Sequence, residues 1–220
     1  MASNTPPAAP QRGLKAVAWD IDGTLIDSEG LHQRALMACS AKLGADLSDI
    51  TEDEFRGVHL SEIWTKLAPR FRADVDRARW VNAIHDYYIE RTSELQAIEG
   101  ARETVAALAE LGVLQGCVSN SGRRIVDANL AALGLDRYFG FTLSFNDFER
   151  GKPDPAPFRL AAQRFGLPPA AVVAVEDSAT GALSARRAGL FVAVCGPESQ
   201  AGIDCDLRLG KLSELLSLFP

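Results

Sequence analysis

The sequence has no apolar run approaching the roughly 20 residues that cross a bilayer as a helix. Its first residues also lack the apolar stretch of a secretory leader: residues 1–13 are rich in Ala, Pro and small polar residues and read as a disordered tail. Neither export nor a membrane partner is expected, and the expected location is cytoplasmic. Basic residues are the minority, 23 against 29 acidic, for a net charge of -6, and they form no long run. That balance argues against nucleic acid or an anionic lipid surface as partner. Cysteines number only 4 (Cys39, Cys117, Cys195 and Cys205), with no Cys-x-x-Cys pair. Three of them sit in or beside apolar runs, the pattern of reduced structural thiols in a cytoplasm. Internal repeats are absent as well. What remains is an ordinary globular composition, 47% hydrophobic and 24% charged over 220 residues. This is enough for one domain, or for a core domain with a small inserted one.

Four short runs are almost continuously apolar: Ala16 to Trp19, Val113 to Val118, Val172 to Val175 and Phe191 to Val194. Unbroken apolar runs, as opposed to alternating ones, belong to parallel strands covered on both faces. Helical patterns at Ala101 to Leu111, Arg123 to Leu133, Ala156 to Phe165 and Ala179 to Ala188 accompany the last three. Weaker strands are predicted at Phe141 to Phe145 and Leu207 to Leu209. The expected fold is therefore α/β, a Rossmann-like, doubly wound parallel sheet. Residues 31–98 break the alternation. They contain no strand-like run, and Leu31, Ala35, Ala38 and Cys39, like Trp80, Ile84, Tyr87 and Tyr88, share a helical face. The division predicted is a core of residues 14–30 and 99–220 with an all-helical cap at 31–98. Gly30 and Gly100 bracket the insertion as candidate hinge residues, and core packing accounts for its aromatics, including Trp64.

The strand ends carry the chemistry. The first ends in Asp20-Ile21-Asp22-Gly23-Thr24, two carboxylates one residue apart at the carboxyl edge where open α/β sheets bind ligands. Alternation along an extended chain would send both side chains into one site; the other readings are solvated aspartates or a calcium loop. The calcium loop fits poorly, because Thr24 and Leu31 occupy its fifth and twelfth positions. The second strand ends in Ser119-Asn120-Ser121-Gly122 before a helix, either a phosphate cradle or an ordinary cap with Ser121 as N-cap. Lys152 stands before Pro153 on a stiff turn, aimed into the crevice or solvated. Glu176-Asp177-Ser178 ends another strand, as site carboxylates or with Asp177 or Ser178 as a helix cap.

Four such clusters at one edge of one sheet are not readily placed by chance, and together they resemble the haloacid dehalogenase superfamily of phosphohydrolases over nearly the whole chain. Asp20-x-Asp22-Gly23-Thr24 corresponds to its first motif, Ser119 to the second, Lys152 to the third and Glu176-Asp177 to the fourth. The helical insertion resembles the cap of the first subclass. The resemblance implies Mg²⁺ held by Asp20, Asp177 and the backbone carbonyl of Asp22, with Glu176 orienting a metal-bound water or Lys152. It implies Asp20 as nucleophile and Asp22 as acid and base. Lys152, Ser119 and Asn120 would hold the phosphoryl oxygens, with Gly23 and Thr24 beside them. A charged monoester attacked by a carboxylate does need a hard cation.

The presence of Asp22 favours a phosphatase or phosphomutase over a dehalogenase. His32 stands where the β-phosphoglucomutase branch has a cap-hinge histidine, and Gly57-Val58-His59 resembles its substrate loop; a solvent-facing place is the alternative for both histidines. That branch has an arginine two residues after Gly-Val, where this chain has Leu60, so a phosphatase of a small phosphorylated sugar, sugar acid or polyol leads. A mutase or a phosphoglycolate phosphatase is the alternative, and the expected partner is a small phosphorylated metabolite. A phospho-accepting switch domain or a binding-only relative is less consistent with the large insertion and the filled motif positions. Oligomeric state is not legible.

Overall fold

A computed structural model describes residues 13–51, 54–55, 60–196 and 202–219. The chain enters β1 (Ala16–Trp19), turns into the two-residue β2 (Ile26–Asp27), and passes through α1 (Glu29–Lys42), α2 (Leu60–Leu67) and α3 (Arg77–Ile89) before returning along β3 (Gln96–Ala97). Helix and strand then alternate as α4 (Ala101–Glu110), β4 (Leu114–Val118), α5 (Arg123–Leu133), β5 (Phe141–Leu143), α6 (Ala156–Phe165), β6 (Val172–Glu176), α7 (Ala179–Ala188), β7 (Phe191–Val194) and β8 (Leu207–Arg208).

Six strands form one parallel sheet in the order β5-β4-β1-β6-β7-β8. The order starts in the middle and winds outward both ways, which is the doubly wound α/β architecture. Side chains alternate across it as strand geometry requires. Val17, Trp19, Val173 and Val175 meet Val105 and Leu108 of α4 and Val126 and Leu130 of α5 on one face. Ala16, Ala18, Val172 and Ala174 meet Phe158 and Ala161 of α6 and Ala182 and Ala185 of α7 on the other. Every residue of β1 and β6 is buried, so these strands had to read as unbroken apolar runs.

The helices α1 to α3 close around a separate apolar cluster that includes Leu31, Ala35, Trp80, Ile84 and Tyr88. Trp80 Nε1 donates to Ser40 Oγ at 2.8 Å inside it, and Trp64 lies 5.5 Å from Trp80, ring to ring. Ile125 of α5 is a buried member of the same cluster, so the insertion rests on α5.

Several expectations change in detail. The weak strands are shorter than their apolar runs, ending at Leu143 and Arg208. The insertion is not strandless: Gln96–Ala97 pairs antiparallel with Ile26–Asp27, so a two-stranded ribbon joins its two ends. Two residues are too few to show a period. Gly30 lies inside the first turn of α1, whereas Gly100 has φ 78 and caps α4. Cys39, Cys117 and Cys195 are buried free thiols and Cys205 is half-buried. No helix among the described residues is long and apolar enough to cross a membrane.

Candidate active site

The carboxyl ends of β1, β4 and β6 are neighbours, and each delivers polar side chains the moment its apolar run stops. Asp20 follows β1 directly, its amide donating to Val175 O at 2.9 Å. Gly23 then turns the chain at φ +83, and a Cβ there would overlap the Asp177 carboxylate, so glycine is required both by conformation and by space. Opposite, Asn120 pins the loop that carries Lys152: its Oδ1 accepts from Lys152 N at 2.8 Å and its Nδ2 donates to Lys152 O at 3.1 Å. The lysine Nζ thereby sits 2.6 Å from Asp20 Oδ1, 2.8 Å from Val118 O and 2.5 Å from Glu176 Oε1.

Asp20, Glu176 and Asp177 gather three carboxylates, with ligand oxygens within 4.8 Å of one another, around one buried ammonium. Burial raises Asp20 above the usual carboxylate range, Lys152 opposing and Asp22 adding to it. Burial likewise pushes Glu176 up to about 8 against the pull of Lys152. Asp177 is pushed up to about 7 by burial and by the charge of Asp20. Burial would lower Lys152, but Asp20 and Glu176 outweigh it and hold the ammonium charged. Asp20 Oδ2 is buried with no hydrogen-bond partner. Hard oxygen donors, an excess of negative charge and an orphaned carboxylate oxygen are what a small divalent cation would satisfy, so these residues fit one.

Asp22 turns the other way and is saturated with donors. Its Oδ1 accepts from Ser28 Oγ at 2.7 Å and Asn129 Nδ2 at 2.9 Å, and lies 3.3 Å from His32 Nε2. Its Oδ2 accepts from Ser121 Oγ at 2.8 Å and Ser119 Oγ at 3.3 Å. Burial raises its pKa, but the hydrogen bond and charge of His32, with Ser28 and Ser121, outweigh that and hold the carboxyl well below the usual range. The reading of Ser121 as N-cap is corrected: Gly122 caps α5, without a side-chain bond. Ser178 does cap α7, accepting from Gly181 N, which leaves Asp177 for the site. Ser28 and Asn129 are the members sequence reasoning does not single out, and Ser121 is one it reads as a cap. Asn129 had one signal, a polar residue among Ile125, Val126, Leu130 and Leu133 on the buried face of α5.

Asp20, Asp22, Ser119, Asn120, Lys152 and Asp177 line one cavity of about 520 Å³, roofed by His32, Leu36, Ile63, Ile84 and His85 of the helical insertion. His32 is half-buried and bridges the insertion to Asp22. Glu176 is fully buried behind Lys152. Gly23 and Thr24, expected beside the phosphate, do not line the cavity; Thr24 is fully buried in the turn beneath it. Gly57 and His59 lie outside the described residues.

Known proteins resemble this chain in sequence and in fold. The hydrolase family described as haloacid dehalogenase-like hydrolase matches residues 14–189. Hexitol phosphatase B of Escherichia coli K12 is 31% identical over 215 residues, covering 93% of this chain and 95% of its own. A phosphoglycolate phosphatase of Thiobacillus denitrificans is 30% identical over 182 residues, 80% of each chain. The crystal structure of CbbY from Rhodobacter sphaeroides in complex with phosphate has the same fold, with a TM-score of 0.80 and 24% identity over 94% of this chain and 99% of that one.

Proposed function

The chain belongs to the haloacid dehalogenase-like hydrolases, and we propose that it is a Mg²⁺-dependent phosphatase that hydrolyses a small phosphorylated sugar, sugar acid or polyol by way of a phosphorylated Asp20. The observation that carries this is the meeting of Asp20, Asp177 and Lys152 on the floor of one roofed cavity, with Glu176 behind them. Asp20, Asp177 and the main chain at Asp22 would hold the cation. When bound, it neutralises charge that would otherwise repel an anionic ester from the carboxylates.

Asp20 attacks phosphorus in line, forming a carboxyl O–P bond as the ester P–O bond breaks. Asp22, ionised at rest among its donors, takes up a proton as the ester binds, gives it to the departing alkoxide, then takes one from the water that displaces phosphate from Asp20. Lys152, Ser119 and the Asn120 N–H hold the phosphoryl oxygens as charge builds. Residues 31–98 act as a cap that keeps bulk water out. The preference for a polyol or sugar ester is supported by the hexitol phosphatase among the relatives; the phosphoglycolate phosphatase supplies the competing substrate class.

The test is phosphate release from sugar, sugar-acid, polyol and two-carbon phosphate monoesters, with and without Mg²⁺, beside Asp20→Asn. Release from one class, lost in both controls, is expected. Release that survives Asp20→Asn rules out the nucleophile. Conversion of β-glucose 1-phosphate to glucose 6-phosphate without release would replace hydrolysis by a mutase.

A further inference from the structure

Asn129 belongs to α5 of the core and does not line the cavity, yet one of its amide hydrogens is committed to Asp22. Its Nδ2 donates to Asp22 Oδ1 at 2.9 Å, and its Oδ1 accepts from Tyr88 OH at 2.8 Å. The orientation of the amide is forced, because a carboxylate accepts only and the NH₂ must face it. Tyr88 comes from α3 of the insertion, and Asn129 and Tyr88 are both fully buried. The same tyrosine ring stacks on His32, centroids 4.4 Å apart, and His32 Nε2 is 3.3 Å from the same Asp22 Oδ1. One side chain of the insertion therefore fixes two of the three groups that hold this oxygen.

We infer that Tyr88 and Asn129 are positioning residues for proton transfer: the Tyr88–Asn129–Asp22 chain sets the orientation of the Asp22 carboxyl, and is complete only when α3 of the insertion lies against α5 of the core. This rests on the proposed acid role of Asp22. A buried polar pair that merely ties α3 to α5 would affect every substrate alike. A pair that aims a proton donor affects only esters whose leaving group needs the proton.

The experiment uses the full chain and two esters, an alkyl phosphate that the wild type hydrolyses and 4-nitrophenyl phosphate, whose leaving group departs without protonation. The quantity is kcat/KM, which reports steps up to phosphorylation of Asp20 and omits the shared hydrolysis that follows. Asp22→Asn is the reference. Asn129→Ala is compared with the double variant Tyr88→Phe/Asn129→Leu, which removes both polar partners and leaves no buried hydroxyl unpaired. Its melting midpoint shows that it folds.

In both variants kcat/KM for the alkyl ester is expected to fall about 10- to 100-fold, and that for the aryl ester less than about threefold, following the selectivity of Asp22→Asn. Equal losses on both esters, or no loss on either, would overturn the positioning role while leaving the phosphatase intact. Equal losses in Asp22→Asn would remove the acid role and this inference with it. No phosphate release by the wild type would remove the phosphatase itself.

Discussion

Lys152 Nζ lies 2.5 Å from Glu176 Oε1, with the lysine side chain 4% exposed and the glutamate not at all. Neither group has water to fall back on, so the value of the contact shows when one partner is removed. Glu176→Ala leaves the ammonium with Asp20 and the Val118 carbonyl and is expected to cost about 1–3 kcal/mol, because Lys152 keeps one carboxylate and loses one buried partner. Urea unfolding measures this, and a loss under about 1 kcal/mol would mean that Lys152 relaxes to another partner.

Gly181 faces the same glutamate from the first turn of α7, and a Cβ there would overlap the carboxylate of Glu176. Glycine to alanine in a helix normally gains about 1 kcal/mol. Here Gly181→Ala is expected to cost about 1–3 kcal/mol. Activity should fall as well, because the displaced glutamate no longer holds Lys152. A raised melting midpoint would show that α7 shifts freely.

The sheet was legible because both faces of β1 and β6 are covered, which writes each strand as an apolar run with polar residues only at its end. The same abruptness exposed Asp20, Asp22, Ser119 and Asp177, whereas Lys152 was marked by the stiff turn at Pro153. Two of the donors to Asp22 were hidden for a different reason. Ser121 has a sequence neighbourhood in which a cap explains it fully, and Asn129 meets its partner across 107 positions. Periodicity says which face of α5 is buried, not which residue it meets. Tyr88 was legible as packing and is that too, with its ring buried and its hydroxyl bonded to Asn129.

Ser121 and Ser119 should separate kinetically. Ser121 Oγ is 2.8 Å from Asp22 Oδ2 and Ser119 Oγ 3.3 Å. Hydrogen bonds to a charged group are worth about 1.5–3 kcal/mol, so Ser121→Ala is expected to lower kcat about tenfold or more with little change in KM. Ser119→Ala, which removes a proposed phosphate ligand, should raise KM also. Steady-state kinetics on one alkyl ester decides, and identical profiles would mean that the two hydroxyls do the same job.

Asp20, Glu176 and Asp177 share one ammonium, Lys152, so their cluster holds more negative than positive charge when ionised. A divalent cation balances it, which makes cation binding a folding term as well as a catalytic one. Mg²⁺ at a hundred times its dissociation constant is expected to stabilise the chain by about 2.7 kcal/mol, and a chelator to abolish both that gain and turnover. Asp177→Asn sharpens the test because it removes a ligand and a repelling charge together. In chelator it should melt at or above the wild type, since burial and the charge of Asp20 already oppose ionisation of Asp177. In Mg²⁺ it should gain little and turn over nothing. A variant that still gains the full stabilisation would place the cation away from Asp177, and with it the phosphoryl group.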